Sequence, residues 1–154
     1  VSNIKVFIVG DGSERTFVEE NVKRITEEFG PKIVLTSWLF DIAAFNKGMD
    51  ILCLTSTNEG TPVSLIEAQA SGLPVLSTDV GGVRDIVLDG ESGFITKLGD
   101  CETYVENLRL LVENEKLRVK FAEKGREFVR ERFSFERLTS EMSEYYRKLL
   151  NRKK

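Results

Sequence analysis

The sequence contains no histidine, two cysteines, three prolines and one tryptophan among its 154 residues. Without histidine, a Ser-His-Asp triad is excluded, and most zinc sites and general bases lose their usual residue. Cys53 and Cys101 are too far apart along the chain for a metal-binding or redox motif. We therefore expect no bound metal, and the few unpaired cysteines favour a reducing, cytoplasmic location.

A strong charge of one sign and a long apolar run are also missing. Lys and Arg total 22 against 25 Asp and Glu, and this slight negative excess argues against a dedicated nucleic-acid binder. No apolar run approaches the length of a membrane span, and no signal peptide is visible. The length suits one domain of ordinary size, so we predict that residues 1–154 form a single domain.

Strands alternate with helices through most of the sequence. Apolar runs typical of strands are followed by segments with helical spacing, and turn residues separate them. The predicted strands are 3–9, 32–36, 50–54, 74–77 and 93–96. This alternation predicts an α/β fold with a doubly wound parallel sheet and right-handed crossovers, in which ligands bind beyond the carboxyl ends of the strands.

The stretch 55–74 contains the strongest functional signal. It is predicted to be a strand end, a loop and a helix, with Thr61 as the N-cap and Pro62 at the first helical position. Ser71 and Gly72 are predicted to end the helix. The unpaired amides at the start of such a helix, with the positive end of its dipole, attract anions and phosphate above all.

Two glutamates flank this helix start. Glu59 precedes the helix, and Glu67 lies inside it. A ligand with its phosphates on the helix N-terminus would present sugar hydroxyls to both carboxylates. The alternative interpretation is that each glutamate is a solvated charge that favours the helix dipole.

The ordered set of motifs resembles a known family. Glu59 and Glu67, separated by seven residues, are similar to the E-x7-E signature of family 4 retaining glycosyltransferases, which use nucleotide sugars and have the two-domain GT-B fold. The similarity continues through 78–82, 89–94 and 133–135 and covers nearly the whole chain, aligned with the C-terminal, donor-binding domain. Asp85 stands where the family usually has a glutamate.

The resemblance implies roles for individual residues. Glu59 is the catalytic residue and holds the transferred sugar, and Glu67 binds the ribose of the nucleoside. The implied donor sugar and diphosphate site contains Gly10, Gly12, Gly60, Thr61, Pro62 and Val63, and Thr36 and Ser37 are implied nucleoside-binding residues. The substrate is a UDP- or GDP-linked sugar, with no cofactor and no metal, and the activity serves glycan or polysaccharide synthesis.

The resemblance also identifies missing parts. The family's donor domain begins with one more strand and helix, whose Arg and Lys hold the diphosphate, and neither occurs before Val1. Without that strand, we expect five strands in the order 2-1-3-4-5, with helices on both faces. An N-terminal acceptor domain is implied as a partner and is absent from this chain, so the isolated chain is expected to have little or no transferase activity.

Other motifs have ordinary explanations. Gly10-x-Gly12 is similar to a dinucleotide fingerprint, but Arg15 occupies the third glycine position, which argues against NAD. Trp38 either stacks on a base or packs on the sheet, and packing is the better-supported prediction. Cys53, within an apolar strand, is predicted to be buried.

The remaining predictions concern helix ends and the C-terminus. Ser13 and Ser37 are expected to cap the first two helices, the second of which spans 38–46, and Ser134 is expected to cap the last.

The stripe formed by Leu138, Met142, Tyr145 and Leu149 is predicted to pack in the core. The basic tail formed by Arg147, Lys148, Arg152, Lys153 and Lys154 suggests peripheral contact with the inner face of an anionic membrane, and a solvated helix end is the alternative.

Two other functions fit the same residues. A catalytically silent nucleotide-binding or interaction module would keep the fold, and the missing basic residues and acceptor half favour it. A nucleotide-sugar epimerase or hydrolase is less favoured because such chemistry usually needs additional acids and bases, and the chain has no histidine.

Overall fold

A computed structural model describes residues 4–151, and its contacts divide the chain into two compact units. The first unit ends at Ile42, and the second begins at Ala43. The first unit is a strand-helix-strand motif of β1 (Val6–Ile8), α1 (Arg15–Phe29) and β2 (Ile33–Leu35). Its two strands are parallel, with Val6 opposite Ile33.

The second unit contains a three-stranded parallel sheet and most of the helices. Its strands pair in the order β3-β4-β5, and Gly93 lies opposite Val75. After α2 (Ile42–Lys47), which crosses the boundary between the units, its elements are β3 (Leu52–Leu54), α3 (Val63–Ala70), β4 (Val75–Asp79), α4 (Val83–Ile86), β5 (Gly93–Lys97), α5 (Cys101–Glu113), α6 (Glu115–Phe133) and α7 (Phe135–Asn151).

Successive residues of β4 face two different cores. Val75 packs with buried residues of α3 and α4, including Leu65 and Ile86. Leu76 packs with Leu111 of α5 and Phe121 of α6. Each fully buried side chain of this size contributes about 2 kcal/mol of hydrophobic stabilisation. The predicted α/β class, with parallel strands and helices on both sheet faces, is confirmed for this unit.

The predicted single sheet is not observed. The structure assigns β1 and β2 to one sheet and β3, β4 and β5 to another, so the order 2-1-3-4-5 does not describe one sheet. The alternation of strands and helices indicates which segments are strands, but it does not fix which strand edges pair. The strands β1, β2 and β3 have three residues each, and such short ladders contain few hydrogen bonds.

The predicted starts of three helices are wrong. α1 begins at Arg15 after Glu14, and α2 begins at Ile42, so neither Ser13 nor Ser37 caps a helix. α3 begins at Val63 with Pro62 in the N-cap position, and Thr61 lies outside the helix. Residue preferences identify a helix region better than its first residue, which depends on the backbone angles of the preceding loop.

The predicted end of α3 and the predicted N-cap of α7 agree with the structure. α3 stops at Ala70, and Gly72 adopts a φ of 84° that favours glycine. Its amide bonds to the Gln69 carbonyl at 2.9 Å, and the Leu73 amide bonds to the Ala68 carbonyl at the same distance. The amide of Arg137 donates to the Ser134 hydroxyl at 3.3 Å, so the predicted cap of α7 is confirmed.

Three burial predictions are wrong. Trp38 is 71% exposed, because it lies in the loop before α2 and not on a helix that packs on the sheet. Cys53 is exposed because β3 is an edge strand of its sheet. The residues of the α7 stripe are exposed, from 40% at Leu149 to 58% at Leu138 and Tyr145, because helical periodicity indicates an apolar face but not what covers it.

The ends of the chain limit two further predictions. Asn3, the predicted start of the first strand, lies outside the described residues, as do the last three residues of the basic tail. Within the described part of the tail, the Lys148 ammonium pairs with the Glu144 carboxylate at 2.7 Å. Among residues 4–151, no helix combines the length and the apolar character that a bilayer crossing requires.

Candidate functional site

The loop between β3 and α3 leads into a helix start formed by a proline. Pro62 is buried, with φ −71° and ψ 95°, so its backbone is extended directly before Val63 turns into the helix. The first helical turn is tightened by the Leu65 amide, which donates to the Pro62 carbonyl at 3.1 Å. No side chain caps this end. The first amides of α3 are therefore not satisfied by a capping side chain among residues 4–151.

A row of backbone amides is open at this end. The amides of Gly60, Thr61, Val63 and Ser64 have no hydrogen-bond acceptor among residues 4–151. Such amides, at the positive end of a helix dipole, form an anion-binding arrangement. The sequence predicted the Gly60 to Val63 part of this row but missed Ser64, because the helix begins one residue later than predicted.

Glu59 and Glu67 lie on either side of these amides along the chain. Glu59 is half-buried in the loop, and Glu67 is exposed as the fifth residue of α3, about 6 Å along the helix axis from Val63. Neither carboxylate has a hydrogen-bond or ion-pair partner within the described part of the chain. Both are therefore free to accept hydrogen bonds from hydroxyl groups of a ligand.

The carboxyl end of β4 lies directly behind the loop. The Thr78 hydroxyl donates to the Ser56 carbonyl at 2.5 Å, and the Gly82 amide donates to the Gly60 carbonyl at 2.9 Å. Thr78 was not among the predicted site residues. Gly81 and Gly82, which follow soon after Thr78, could have indicated this contact, because glycines often mark places where two backbone segments approach closely.

The loop after β1 in the first unit is stabilised by its own side chains. Asp11 accepts from the Gly12 amide at 2.9 Å and pairs with the Arg15 guanidinium at 2.5 Å. The Arg15 guanidinium also bonds Glu19, and these carboxylates raise the pKa of Arg15. The arginine at the third glycine position therefore stabilises the loop.

A cavity of about 330 Å³ lies in the first unit. Gly10, Gly12, Val18 and Thr36 contribute to its lining. The Thr36 hydroxyl bonds the carbonyls of Ile8 and Ser37. The first unit thus brings together three of its four predicted site residues, Gly10, Gly12 and Thr36, around one cavity.

Ser37, the fourth predicted site residue of the first unit, is not among the residues that line this cavity. The Ser37 hydroxyl is exposed and accepts from Arg15 at 3.1 Å.

Asp85, where the family usually has a glutamate, lies in α4 and is exposed. Arg84 forms two hydrogen bonds to Asp79, at 2.8 and 2.6 Å, and this pairing raises the pKa of Arg84.

A second depression of about 600 Å³ lies along α6 beside the C-terminal end of α3. It is lined by residues such as Gly72, Arg126 and Glu127, away from the open amides. Arg126 donates to the Ser71 carbonyl at 3.1 Å, and Glu127 pairs with Lys124 at 2.9 Å. Among residues 4–151, no group of three or more Cys, Asp or Glu residues is arranged to hold a metal ion.

Curated proteins with related sequences include several that are named as glycosyltransferases. The chain is 31% identical over 149 residues to the capsular polysaccharide biosynthesis glycosyltransferase CapM of Staphylococcus aureus, covering 96% of this chain and 39% of CapM. It is 28% identical over 142 residues to the N-acetyl-alpha-D-glucosaminyl L-malate synthase of Bacillus anthracis, covering 92% of this chain and 37% of that enzyme. The chain thus spans less than half the length of these relatives.

Solved structures of similar shape include a complex with UDP. HepE of Anabaena superposes with a TM-score of 0.82 at 23% sequence identity, covering 94% of this chain and 41% of HepE. At this identity the likeness establishes the fold.

The family itself is established by the sequence. The model of the family described as glycosyl transferases group 1 matches residues 1–128, most of the chain. That match and the 31% identity to CapM agree with the resemblance carried by Glu59, Glu67 and the motifs after them. The chain belongs to the group 1 glycosyl transferases, which have the GT-B fold.

Proposed function

We propose that the chain is the donor-binding part of a retaining, metal-independent glycosyltransferase that takes a nucleoside diphosphate sugar. The observation that carries this proposal is the row of open amides at Gly60, Thr61, Val63 and Ser64, placed between two unpaired carboxylates. A diphosphate is the anion that such a row suits, and sugar hydroxyls are the groups that such carboxylates accept. The relatives named above and the complexes of HepE with UDP and UDP-glucose support it.

In this proposal each group has a separate task. The amides hold the diphosphate, Glu67 accepts from the ribose hydroxyls, and Glu59 accepts from hydroxyls of the transferred sugar. During transfer, the bond between the anomeric carbon and the diphosphate oxygen breaks, and its electron pair leaves with the diphosphate. The acceptor oxygen forms the new bond to the anomeric carbon, and its proton passes to the departing diphosphate. Preorganised amides stabilise the charge that develops on the leaving group, which is the task a metal ion performs in other transferases.

Several finer predictions belong to the same proposal. Gly10, Gly12, Thr36 and Ser37 are proposed to contact the donor, and residues 1–154 are proposed to act as one domain. The donor is proposed to be linked to UDP or GDP, and the identity of its sugar is left open. The acceptor site is proposed to belong to an N-terminal domain outside this sequence, so the 154-residue chain is expected to bind donor without appreciable transfer. A cytoplasmic location and contact with its membrane remain predictions.

Calorimetry on the 154-residue chain tests the proposal with UDP, UDP-glucose, GDP and GDP-mannose, each measured with Mg²⁺ and again in EDTA. We expect the nucleotide sugar of one pair to bind more tightly than its nucleotide. Glu67→Ala should weaken both members of that pair about tenfold, because both contain the ribose. Glu59→Ala should abolish only the additional affinity that the sugar provides.

Glu106→Ala is the matched control, because Glu106 is an exposed glutamate on α5 with no role in the proposed site. It should leave all four affinities unchanged. If the unaltered chain binds none of the four compounds, the donor-binding function is wrong and a silent interaction module is favoured. Loss of binding in EDTA alone would contradict metal independence. Release of free sugar or an altered sugar would favour the hydrolase or epimerase.

A further inference from the structure

The loop that carries Glu59 contacts the end of β4 and the turn after it at three points. The Thr78 hydroxyl bonds the Ser56 carbonyl at 2.5 Å, the Gly82 amide bonds the Gly60 carbonyl at 2.9 Å, and Gly81 lies against the Glu59 carbonyl. All of these residues belong to the second unit. The contacts fall at Ser56, Glu59 and Gly60, so β4 and the turn after it restrain the loop before, at and after Glu59.

The two glycines of the turn are required by this close approach. Gly82 has a φ of −83°, which any residue adopts, so its backbone conformation gives no reason for glycine. A Cβ at Gly82, however, would lie 2.5 Å from the Gly60 carbonyl oxygen, closer than Cβ atoms are found in proteins. At Gly81, a Cβ would overlap the Glu59 carbonyl oxygen, and the φ of 52° also favours glycine.

The same contacts set the direction of two open amides. The carbonyl oxygens of Glu59 and Gly60 face the turn. In a planar trans peptide, the N–H points away from the carbonyl of the same unit. The N–H groups of Gly60 and Thr61 therefore point away from the turn, and neither has an acceptor within residues 4–151. Contact on one side of the loop thus presents amides on its other side.

We propose that Gly81, Gly82 and Thr78 are positioning residues, which act through the loop to hold Glu59 in register with the donor sugar and the amides of Gly60 and Thr61 in register with its diphosphate. This inference rests on the proposed donor-binding function and adds residues to it. Displacement of the loop should affect the sugar end of the donor more than the nucleoside end. The reason is that Glu67 lies in α3, which none of the three contacts restrains directly.

Gly82→Ala tests this role in the 154-residue chain. The added Cβ must push the Gly60 carbonyl away, while the φ of −83° tolerates alanine. We expect UDP to bind more weakly, because the displaced amides hold its diphosphate, and UDP-glucose to lose about tenfold more affinity than UDP, because it also loses the contact of its sugar with Glu59. GDP and GDP-mannose replace this pair if the unaltered chain prefers them.

Gly48→Ala is the matched control. Gly48 also lacks a positive φ, and a Cβ there would meet only the Phe45 carbonyl oxygen at an ordinary 3.5 Å. It should leave both affinities unchanged. Thr78→Val provides a second variant that adds no atoms to the gap, and we expect UDP-glucose to lose about fivefold more affinity than UDP because one hydrogen bond to the loop is lost.

Backbone NMR provides a readout independent of any ligand. In Gly82→Ala, the amide resonances of Gly60 and Thr61 should shift, and hydrogen exchange at the amide of residue 82 should become faster because it loses its bond to the Gly60 carbonyl, whereas the amide of Glu67 should change little. If these resonances do not move, or if UDP-glucose loses no more affinity than UDP in both variants, the positioning role is wrong. If the unaltered chain binds no nucleotide while the resonances move as expected, the turn holds the loop but the donor-binding function fails.

Discussion

Gly10 and Gly12 follow β1 in the first unit, and Gly81 and Gly82 follow β4 in the second. In the first pair, a Cβ would meet nothing within 4 Å, and both glycines line a cavity. In the second pair, a Cβ would collide with the backbone of the Glu59 loop. The first glycine loop is thus open to a ligand, whereas the second is closed by protein and supports a neighbouring loop. Two similar sequence signals therefore have different physical causes.

The largest effect that tests this difference is expected for Gly81→Ala. It adds a backbone penalty at φ 52° and a collision with the Glu59 carbonyl, and we expect it to lower the free energy of unfolding by about 3 kcal/mol. Gly90→Ala is the matched control, since Gly90 has a φ of 75° but open space around it, and should cost only about 1 kcal/mol. Urea denaturation measures both. Equal losses would mean that the collision contributes nothing.

An intermediate effect is expected for Thr78→Val. Thr78 is buried, and its hydroxyl bonds the Ser56 carbonyl, so the loss should be about 1 kcal/mol of unfolding free energy. Thr36→Val provides the comparison in the first unit, because Thr36 follows β2 and lines the same cavity as the open loop. The Thr36 hydroxyl is half-buried and forms longer hydrogen bonds, at 3.3 and 3.1 Å, so water replaces them at a cost below about 0.5 kcal/mol. If Thr36→Val costs as much as Thr78→Val, the two loops do not differ in this way.

The smallest effect is expected for Gly12→Ala. The backbone of Gly12 does not have a positive φ, and its surroundings are open, so the free energy of unfolding should change by less than about 0.5 kcal/mol. The same variant sharpens the comparison when nucleotide affinity is measured. Weaker binding at unchanged stability would support the proposed contact of Gly12 with the donor. A large loss of stability would show that this loop is packed.

Around the Glu59 loop, local features could be predicted from the sequence, whereas contacts between distant segments could not. The strand-loop-helix around Glu59 and the helix stop at Gly72 were predictable because they depend on local residue chemistry. The start of α3 was not, because Pro62 takes an extended conformation in the N-cap position and Thr61 is left outside the helix. The contact between Gly82 and Gly60 joins segments about twenty residues apart, and no local pattern gives such a distance.

Burial was the least predictable property. Cys53 lies in an apolar run but on an edge strand, and the apolar face of α7 remains exposed. Periodicity reveals that a face is apolar, whereas its coverage depends on elements elsewhere. The open amide of Ser64 was missed for a related reason, since it follows from the exact helix start.

The narrow gap between Gly82 and Gly60 has a consequence for how this chain can change over time. Alanine at position 82 is acceptable to the local backbone and unacceptable only because of the opposing carbonyl. A shift of the opposing loop would have to come first, and a later substitution at 82 would then be nearly harmless. The two segments are therefore expected to mutate in a fixed order, and a directed-evolution experiment that starts from this sequence would show it in its lineages.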